Sequence, residues 1–182
     1  MSRLTAYTRE MSVPLGLGLF FLTVLGMEAF AYVMHRFVMH GPGWFLHASH
    51  HRANAGFWEA NDWYVVIFAA PSASLFVAAA LGAAGGWANW VGAGIAAYGA
   101  IYVGFHDIIV HKRLNHRYIP KSSYMKRIVQ AHRLHHIVET RRGTVSFGFL
   151  WAPKPEALKA ELKRRERAGV RAPAGIEADQ AI

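Results

Sequence analysis

Ten of the eleven histidines fall into four short clusters, and the last two clusters repeat the spacings of the first two. The clusters are His35-x4-His40, His47-x2-His50-His51, His106-x4-His111 and His132-x2-His135-His136. Imidazole is the commonest metal-donating side chain, so this many neutral nitrogen donors in 182 residues indicate more than one transition-metal ion. The fold must therefore bring four separate segments together. The eleventh histidine, His116, fits no cluster and is predicted to be structural or exposed.

Three apolar stretches are each long enough to cross a bilayer, which takes about 20 mostly apolar residues. They are predicted to run from Val13 to Met34, from Tyr64 to Ala84 and from Trp87 to Phe105. Gly85-Gly86 is the predicted turn between the second and third, and small residues along both favour close helix packing in lipid. We therefore predict an all-α integral membrane protein with three or four transmembrane helices.

The order of spans and clusters places all ten clustered histidines on one side of the membrane. Two clusters follow the first span and two follow the third, so two crossings separate the pairs. Residues 1–105 hold four basic and four acidic side chains, whereas residues 106–182 hold sixteen basic and seven acidic ones. Lys and Arg collect on the cytoplasmic flanks of membrane helices. We therefore predict a cytoplasmic metal site, and the basic charge needs no nucleic-acid partner to explain it.

A length of 182 residues favours a single domain. We predict a membrane-embedded domain over residues 1–153, followed by a basic, partly disordered tail over residues 154–182. Within that tail, residues 154–168 are predicted to form a short solvated helix. Residues 169–182 have Pro, Gly and Ala with no apolar period and are predicted to be disordered. The absence of cysteine excludes disulfides, thiolate metal sites and iron–sulfur clusters. The first apolar run lacks a small-residue cleavage site and does not read as a secretory signal peptide.

The spacings within the clusters make different demands on helix geometry. Residues three and four apart share one face of an α-helix, so each triplet is predicted to present its imidazoles to one location. Residues five apart lie about 140° apart around an α-helix. Each x4 pair would then serve two neighbouring ions, or one ion where the helix frays. Gly41-Pro42-Gly43, directly after His40, is a helix stop that favours fraying.

Ten nitrogen donors fit two ions with four or five imidazoles each, and imidazole suits Zn, Cu, Fe and Ni. A zinc site needs only three or four ligands. Copper handling usually recruits Met and Cys, and no Met cluster exists here. Haem ligation would place paired histidines in mid-membrane, whereas these lie at the ends of the spans. A histidine-rich di-iron centre that activates oxygen for attack on a C–H bond fits best.

Metal-bound histidines commonly donate their second ring N–H to a carboxylate or a carbonyl. The carboxylates near the clusters are Glu59, Asp62, Asp107 and Glu139. Asp107 is next to His106, and Asp62 begins the second span, where it could instead be an N-cap. Glu28, two helical turns before His35, is predicted to face protein, either as such a partner or in packing.

The chain resembles the bacterial β-carotene hydroxylases, within the broader fatty acid hydroxylase superfamily. The resemblance covers about residues 28–155 and includes residues between the histidines. It is carried by residues 35–44 and 47–52, Asn61-Asp62, His106-Asp107-Ile108-Ile109-Val110-His111, Tyr118-Ile119-Pro120-Lys121, Gln130-Ala131-His132-Arg133-Leu134-His135-His136 and Val145-Ser146-Phe147-Gly148-Phe149-Leu150.

This resemblance implies a membrane non-haem di-iron monooxygenase of carotenoid biosynthesis. Members of that family hydroxylate carbon 3 of each β-ionone ring and convert β-carotene through β-cryptoxanthin to zeaxanthin. The resemblance implies two iron ions held by all ten clustered histidines, O2 as co-substrate and electrons from reduced ferredoxin. It also implies a membrane-dissolved carotenoid substrate and a location in the bacterial inner membrane.

Two kinds of alternative stay open at this point. One is another oxygenase on the same scaffold: a carotenoid ketolase, or a hydroxylase or desaturase acting on fatty acids or sterols. The other is a non-catalytic membrane metal-binding protein, such as a transporter or sensor. Transporters usually bind ions near the bilayer midplane, whereas these clusters are predicted to lie at one face.

Overall fold

A computed structural model describes residues 11–52 and 57–170. Of residues 169–182, which are predicted to be disordered, all beyond residue 170 lie outside the described residues. The α-helices are α1 (Val13–Val33), α2 (Trp44–His47), α3 (Trp63–Ala80), α4 (Trp87–Tyr102), α5 (Ser123–His136) and α6 (Pro155–Arg167). Two π-helices (Met34–Met39 and Val103–Val110) and two 3-10 helices (Ala48–His51 and Ala60–Asp62) complete the set. No strand occurs in these two ranges, which confirms the all-α prediction.

Three helices among the described residues are long and apolar enough to cross a membrane, as predicted. They are Val13–Met39, Ala60–Ala80 and Trp87–Val110. The chain divides into two compact units, Met1–Ala29 with Asp62–Val103, and Phe30–Asn61 with Gly104–Ile182. The first unit contains the greater part of the apolar helices. The second contains every clustered histidine.

Small residues bring the helices of the first unit close together. The Ser72 hydroxyl on α3 donates to the carbonyl oxygen of Gly92 on α4 at 2.7 Å. A Cβ atom added at Gly94 would lie only 2.7 Å from the Thr23 Cβ of α1, so the backbones approach too closely there for a larger residue. This is the close packing that the small residues predicted.

The turn after α3 begins earlier than the sequence suggested. The helix ends at Ala80, not Ala84, and Gly82 adopts a left-handed conformation with φ of 69°. The backbone N–H of Ala83 then returns to the carbonyl oxygen of Ala78 at 2.8 Å, which closes the end of the helix. Glycine adopts this conformation without steric cost. The sequence predicts the turn at Gly85-Gly86, whereas Gly82 already ends the helix.

Each x4 histidine pair is aligned by a π-helical turn rather than lying on a frayed α-helix, with His35 and His106 on the π-helices and His40 and His111 directly after them. The backbone N–H of His40 donates to the carbonyl oxygen of His35 at 3.0 Å, and His111 donates to His106 at the same distance. This i to i+5 bond widens the turn by one residue. It sets residues five apart above one another, as the i to i+4 bond does in an α-helix. The prediction of fraying is therefore wrong, because a regular wider turn aligns the pair.

The helix predicted over residues 154–168 is present as α6, but it is not simply solvated. Leu158 and Leu162 are buried, and α6 packs against α5. The Arg165 guanidinium also donates to the carbonyl oxygen of Thr144 at 2.5 Å. Through this bond α6 holds the segment that follows α5, which contributes to the site described next.

Candidate metal centre

The ten clustered histidines form two groups of five in the second unit. Within each group, one ring nitrogen from every residue lies within 4.8 Å of the others. Group 1 consists of His35, His40, His47, His51 and His135, and group 2 of His50, His106, His111, His132 and His136. Group 1 is fully buried, whereas His111 and His136 of group 2 are half-buried. All ten candidate ligands named from the sequence are therefore brought together.

Each group combines an x4 pair, two members of one triplet and the remaining member of the other triplet. His47 and His51 lie in group 1 with ring centroids 4.9 Å apart, whereas His50, between them in sequence, lies in group 2. In the second triplet, His132 and His136 share group 2, and His135 crosses to group 1. The expectation that each triplet faces one location is wrong. Only its members four apart share a group, and the third residue points to the other group.

In group 1, the outer ring nitrogens, which are the Nδ1 atoms that face away from the group, donate hydrogen bonds to neutral oxygen atoms. Four of its five imidazoles donate from Nδ1 to backbone carbonyl oxygens in residues 138–147. These bonds join His51 to Val138 at 2.8 Å, His40 to Arg141 at 3.0 Å, His135 to Val145 at 2.9 Å and His35 to Phe147 at 2.9 Å. His47 donates instead to the Asn61 side-chain oxygen at 2.7 Å.

Carboxylates hold two of the outer nitrogens of group 2. His106 donates from Nδ1 to Asp107 at 2.7 Å, and His50 donates to Glu59 at 3.1 Å. Glu59 also forms an ion pair with Arg113. By contrast, Nδ1 of His132 is buried and has no hydrogen-bond partner among the described residues.

In these seven rings, the outer bonds fix which nitrogen carries the proton. An oxygen acceptor requires N–H at Nδ1, so Nε2 keeps a lone pair. Yet Nε2 atoms approach one another at 3.2 Å between His35 and His47 and at 2.8 Å between His50 and His106. Two lone pairs at this distance cannot share a hydrogen bond. A metal cation bound by both lone pairs would remove this repulsion.

The nitrogen spacing also fits a transition metal. With metal–nitrogen bonds of about 2.0–2.1 Å, two ligands at right angles lie about 2.9 Å apart. The short Nε2 pairs in the two groups span 2.8 to 3.2 Å. An all-imidazole donor set suits iron, copper, zinc or nickel. The residues present therefore fit two metal ions.

Burial keeps these imidazoles in the neutral, donating form. Desolvation lowers the pKa of His40 and His111 to about 4 and that of His47 to about 3. Burial also lowers the pKa of His135 well below its usual value. At neutral pH no proton has to leave before these nitrogens can bind a cation.

A cavity of about 320 Å³ opens beside group 2. Its lining includes His50, His51, His111, His136, Arg52 and Arg133. Three of the four histidines belong to group 2, and both arginines are exposed. The positive arginines and the lone pairs give this opening a polar surface.

Of the carboxylates named from the sequence, Asp107 and Glu59 are found bonded to histidines. Glu28 accepts a hydrogen bond from Tyr98 at 2.7 Å in the first unit, which supports the packing alternative. Asp62 occupies the N-cap position of α3 without a side-chain capping bond. Its neighbour Asn61 is the residue that orients His47. Sequence reasoning did not assign this role to Asn61, although the Asn61-Asp62 pair was part of the resemblance.

The segment 138–147 was also missed, because backbone carbonyls leave no mark on composition. Ser146 within it has a positive φ of 61°. It lies between the two residues whose carbonyls accept from His135 and His35. His116, expected to be structural, donates from Nε2 to the carbonyl oxygen of Ile108 at 2.7 Å.

The family model described as fatty acid hydroxylase matches residues 20–152. The chain belongs to the fatty acid hydroxylase family. Within this family it is 49% identical over 159 residues to the beta-carotene hydroxylase of Pantoea ananas, covering 87% of this chain and 88% of that protein. It is 48% identical to the beta-carotene hydroxylase of Paracoccus sp. (strain PC1), covering 78% and 87%. No solved structure matches.

Similarity extends to chloroplast proteins at lower identity. Beta-carotene 3-hydroxylase 2, chloroplastic, of Arabidopsis thaliana is 34% identical over 168 residues, covering 86% of this chain and 55% of that protein. The match to the family model ends before α6 begins at Pro155. The helix that holds residue 144 therefore lies outside the family model.

The crossed arrangement of the triplets predicts how paired substitutions affect metal content. Replacing both His47 and His51 with Ala removes two ligands from group 1 only, so one ion per chain remains. Replacing His47 and His50 removes one ligand from each group, so both sites weaken. Metal per chain after equilibrium dialysis against a chelator distinguishes the two double variants. Equal metal content in the two would contradict the grouping.

Proposed function

We propose that this chain is a β-carotene 3-hydroxylase. It hydroxylates carbon 3 of each β-ionone ring and converts β-carotene through β-cryptoxanthin to zeaxanthin. The observation that carries the proposal is the convergence of ten imidazoles into two nitrogen-only groups. It occurs in a chain that is 49% identical to a beta-carotene hydroxylase over most of its length.

Both groups would hold one iron ion each, so that all ten clustered histidines serve as ligands. When bound, a non-haem di-iron centre supplies the oxygen activation that attack on an unactivated C–H bond requires, with O2 as co-substrate. The chain's own contribution is to hold neutral lone pairs in place through their outer hydrogen bonds. Burial of the imidazoles excludes water, which limits side reactions of a reactive oxidant.

The substrate class is a membrane-dissolved carotenoid. Such a rod is about as long as the ~30 Å hydrocarbon core of a bilayer. Its end ring can therefore reach the edge of that core while the polyene chain stays in hydrocarbon. The first histidine of each x4 pair lies on the π-helix that extends an apolar helix, Met34–Met39 after α1 and Val103–Val110 after α4. This order along the chain supports a site at the membrane edge.

Pigment analysis tests the activity. In cells that already make β-carotene, the intact chain is expected to produce zeaxanthin, and His135→Ala to leave β-carotene unchanged because group 1 loses a ligand. His116→Ala is the matched control, since His116 belongs to neither group, and it is expected to retain zeaxanthin formation. Chromatography of extracted pigments gives the result.

Other products would redirect the proposal. Echinenone or canthaxanthin from the intact chain would identify a ketolase instead. Unchanged β-carotene from a well-expressed, iron-loaded protein would overturn carotenoid hydroxylation and leave another lipid as the substrate. Zeaxanthin formation by His135→Ala at the intact rate would contradict the assignment of the metal ligands.

We place the histidines on the cytoplasmic face of the bacterial inner membrane. The support is the excess of basic residues after residue 105 and the preference of such residues for the cytoplasmic side. A fluorescent protein fused after the last residue is expected to fluoresce, and alkaline phosphatase fused there to be inactive. The reverse pair of results would overturn this orientation.

Electrons are proposed to come from a reduced, acidic ferredoxin that docks beside the cavity. Arg52 and Arg133 are exposed on its lining, which gives a positive surface close to group 2. Opposite charges across a docking surface speed encounter, and salt screens them over a Debye length of about 10 Å at 0.1 M.

Reversal of these two charges tests the docking surface. Combined Arg52→Glu and Arg133→Glu substitution is expected to slow electron transfer from ferredoxin and to reduce its salt dependence. Arg164→Glu is the matched control, because Arg164 is a highly exposed arginine paired with Glu161 on α6. Stopped-flow measurements at several ionic strengths supply the rates. Equal effects of the double variant and the control would argue against this surface.

We also propose that residues 1–153 form a membrane-embedded hydroxylase domain and that residues 154–182 form a basic, partly disordered tail. The support for this division is the end of the family match at residue 152. The tail so defined includes α6, which holds the carbonyl-bearing segment through Arg165 and Thr144. It therefore takes part in shaping group 1.

A further inference from the structure

The two histidine groups differ in the charge of the atoms that hold them. Each imidazole of group 1 donates from Nδ1 to a neutral oxygen, four of them to backbone carbonyls and one to an amide side chain. Group 2 has two carboxylate partners, Glu59 on His50 and Asp107 on His106. The inner donor sets are identical, so the difference lies in these partners.

The carboxylates are well enough buried for their charge to act locally. The side chains of Glu59 and Asp107 are 9% and 14% exposed. Water screens such groups less than it screens surface charges. Glu59 is shared between His50 and Arg113, so part of its charge is offset.

A carboxylate that accepts the outer N–H makes the imidazole a stronger donor than a carbonyl does. The proton is drawn towards the carboxylate, and electron density rises at Nε2. A metal ion in group 2 would therefore be bound by two more basic imidazoles than one in group 1. Stronger donors stabilise a higher positive charge on the ion.

We propose that the two metal positions are inequivalent, that group 2 favours the more highly charged ion, and that Glu59 and Asp107 are the positioning residues responsible. This inference rests on the proposed two-iron centre. The proposed difference bears on function because most of the histidines that line the cavity belong to group 2. The ion with the more basic ligands is then the one beside the opening.

Mössbauer spectroscopy of the full chain loaded with 57Fe tests the proposal without measuring activity. The intact protein is expected to give two quadrupole doublets of equal area. Glu59→Gln and Asp107→Asn are each expected to shift the same doublet and leave the other in place. In an equilibrium metal titration, each of these variants is expected to weaken one of the two sites by about 10- to 100-fold.

Asn61→Asp provides the complementary change. It replaces the neutral partner of His47 with a carboxylate of nearly the same shape, so it is expected to shift the other doublet. Glu28→Gln is the matched control, because that carboxylate accepts from Tyr98 in the first unit. It is expected to leave both doublets unchanged.

Two results would overturn the inference: a single environment for both irons, or a shift of the same doublet by Asn61→Asp and Glu59→Gln. Iron per chain is measured on the same samples. Fewer than two ions in the intact protein would count against the proposed centre itself. Two ions in one environment would remove only their inequivalence.

Discussion

The outward hydrogen bonds of the histidines are the constraint on which the rest of the site depends. By placing a proton on Nδ1, they leave Nε2 with a lone pair directed into the group. Nε2 atoms 2.8 Å apart, as between His50 and His106, are unfavourable until a cation separates them. The outward polar contacts thus orient the inner nitrogens so that they suit a bound cation. The pKa values lowered by burial act in the same direction, because they keep the ligands uncharged.

The second organising feature is the exchange of one histidine between the two sequence repeats. His135 comes from the later repeat and joins the group built by the earlier one, and His50 makes the opposite move. Each group therefore needs residues from both parts of the chain. Formation of either group fixes the packing of α5 against the segments around α2, so folding of the second unit and assembly of the site are coupled.

The helices and the set of converging histidines were predictable because their signals are local. Apolar length marks the three spans, and histidine spacing marks the clusters. The grouping was not predictable, since α-helical geometry sets His35 and His40 on different faces. The i to i+5 bond between them is a local backbone choice that residue types do not reveal. The carbonyl partners in residues 138–147 were hidden for a related reason: every residue carries a carbonyl, and only the fold decides which ones face the site.

The most direct test of this account is iron anomalous diffraction from crystals of the iron-loaded protein. The account predicts two peaks, one surrounded by His35, His40, His47, His51 and His135, and the other by His50, His106, His111, His132 and His136. A single peak, or a peak whose nearest nitrogens are drawn from one complete triplet, would contradict it.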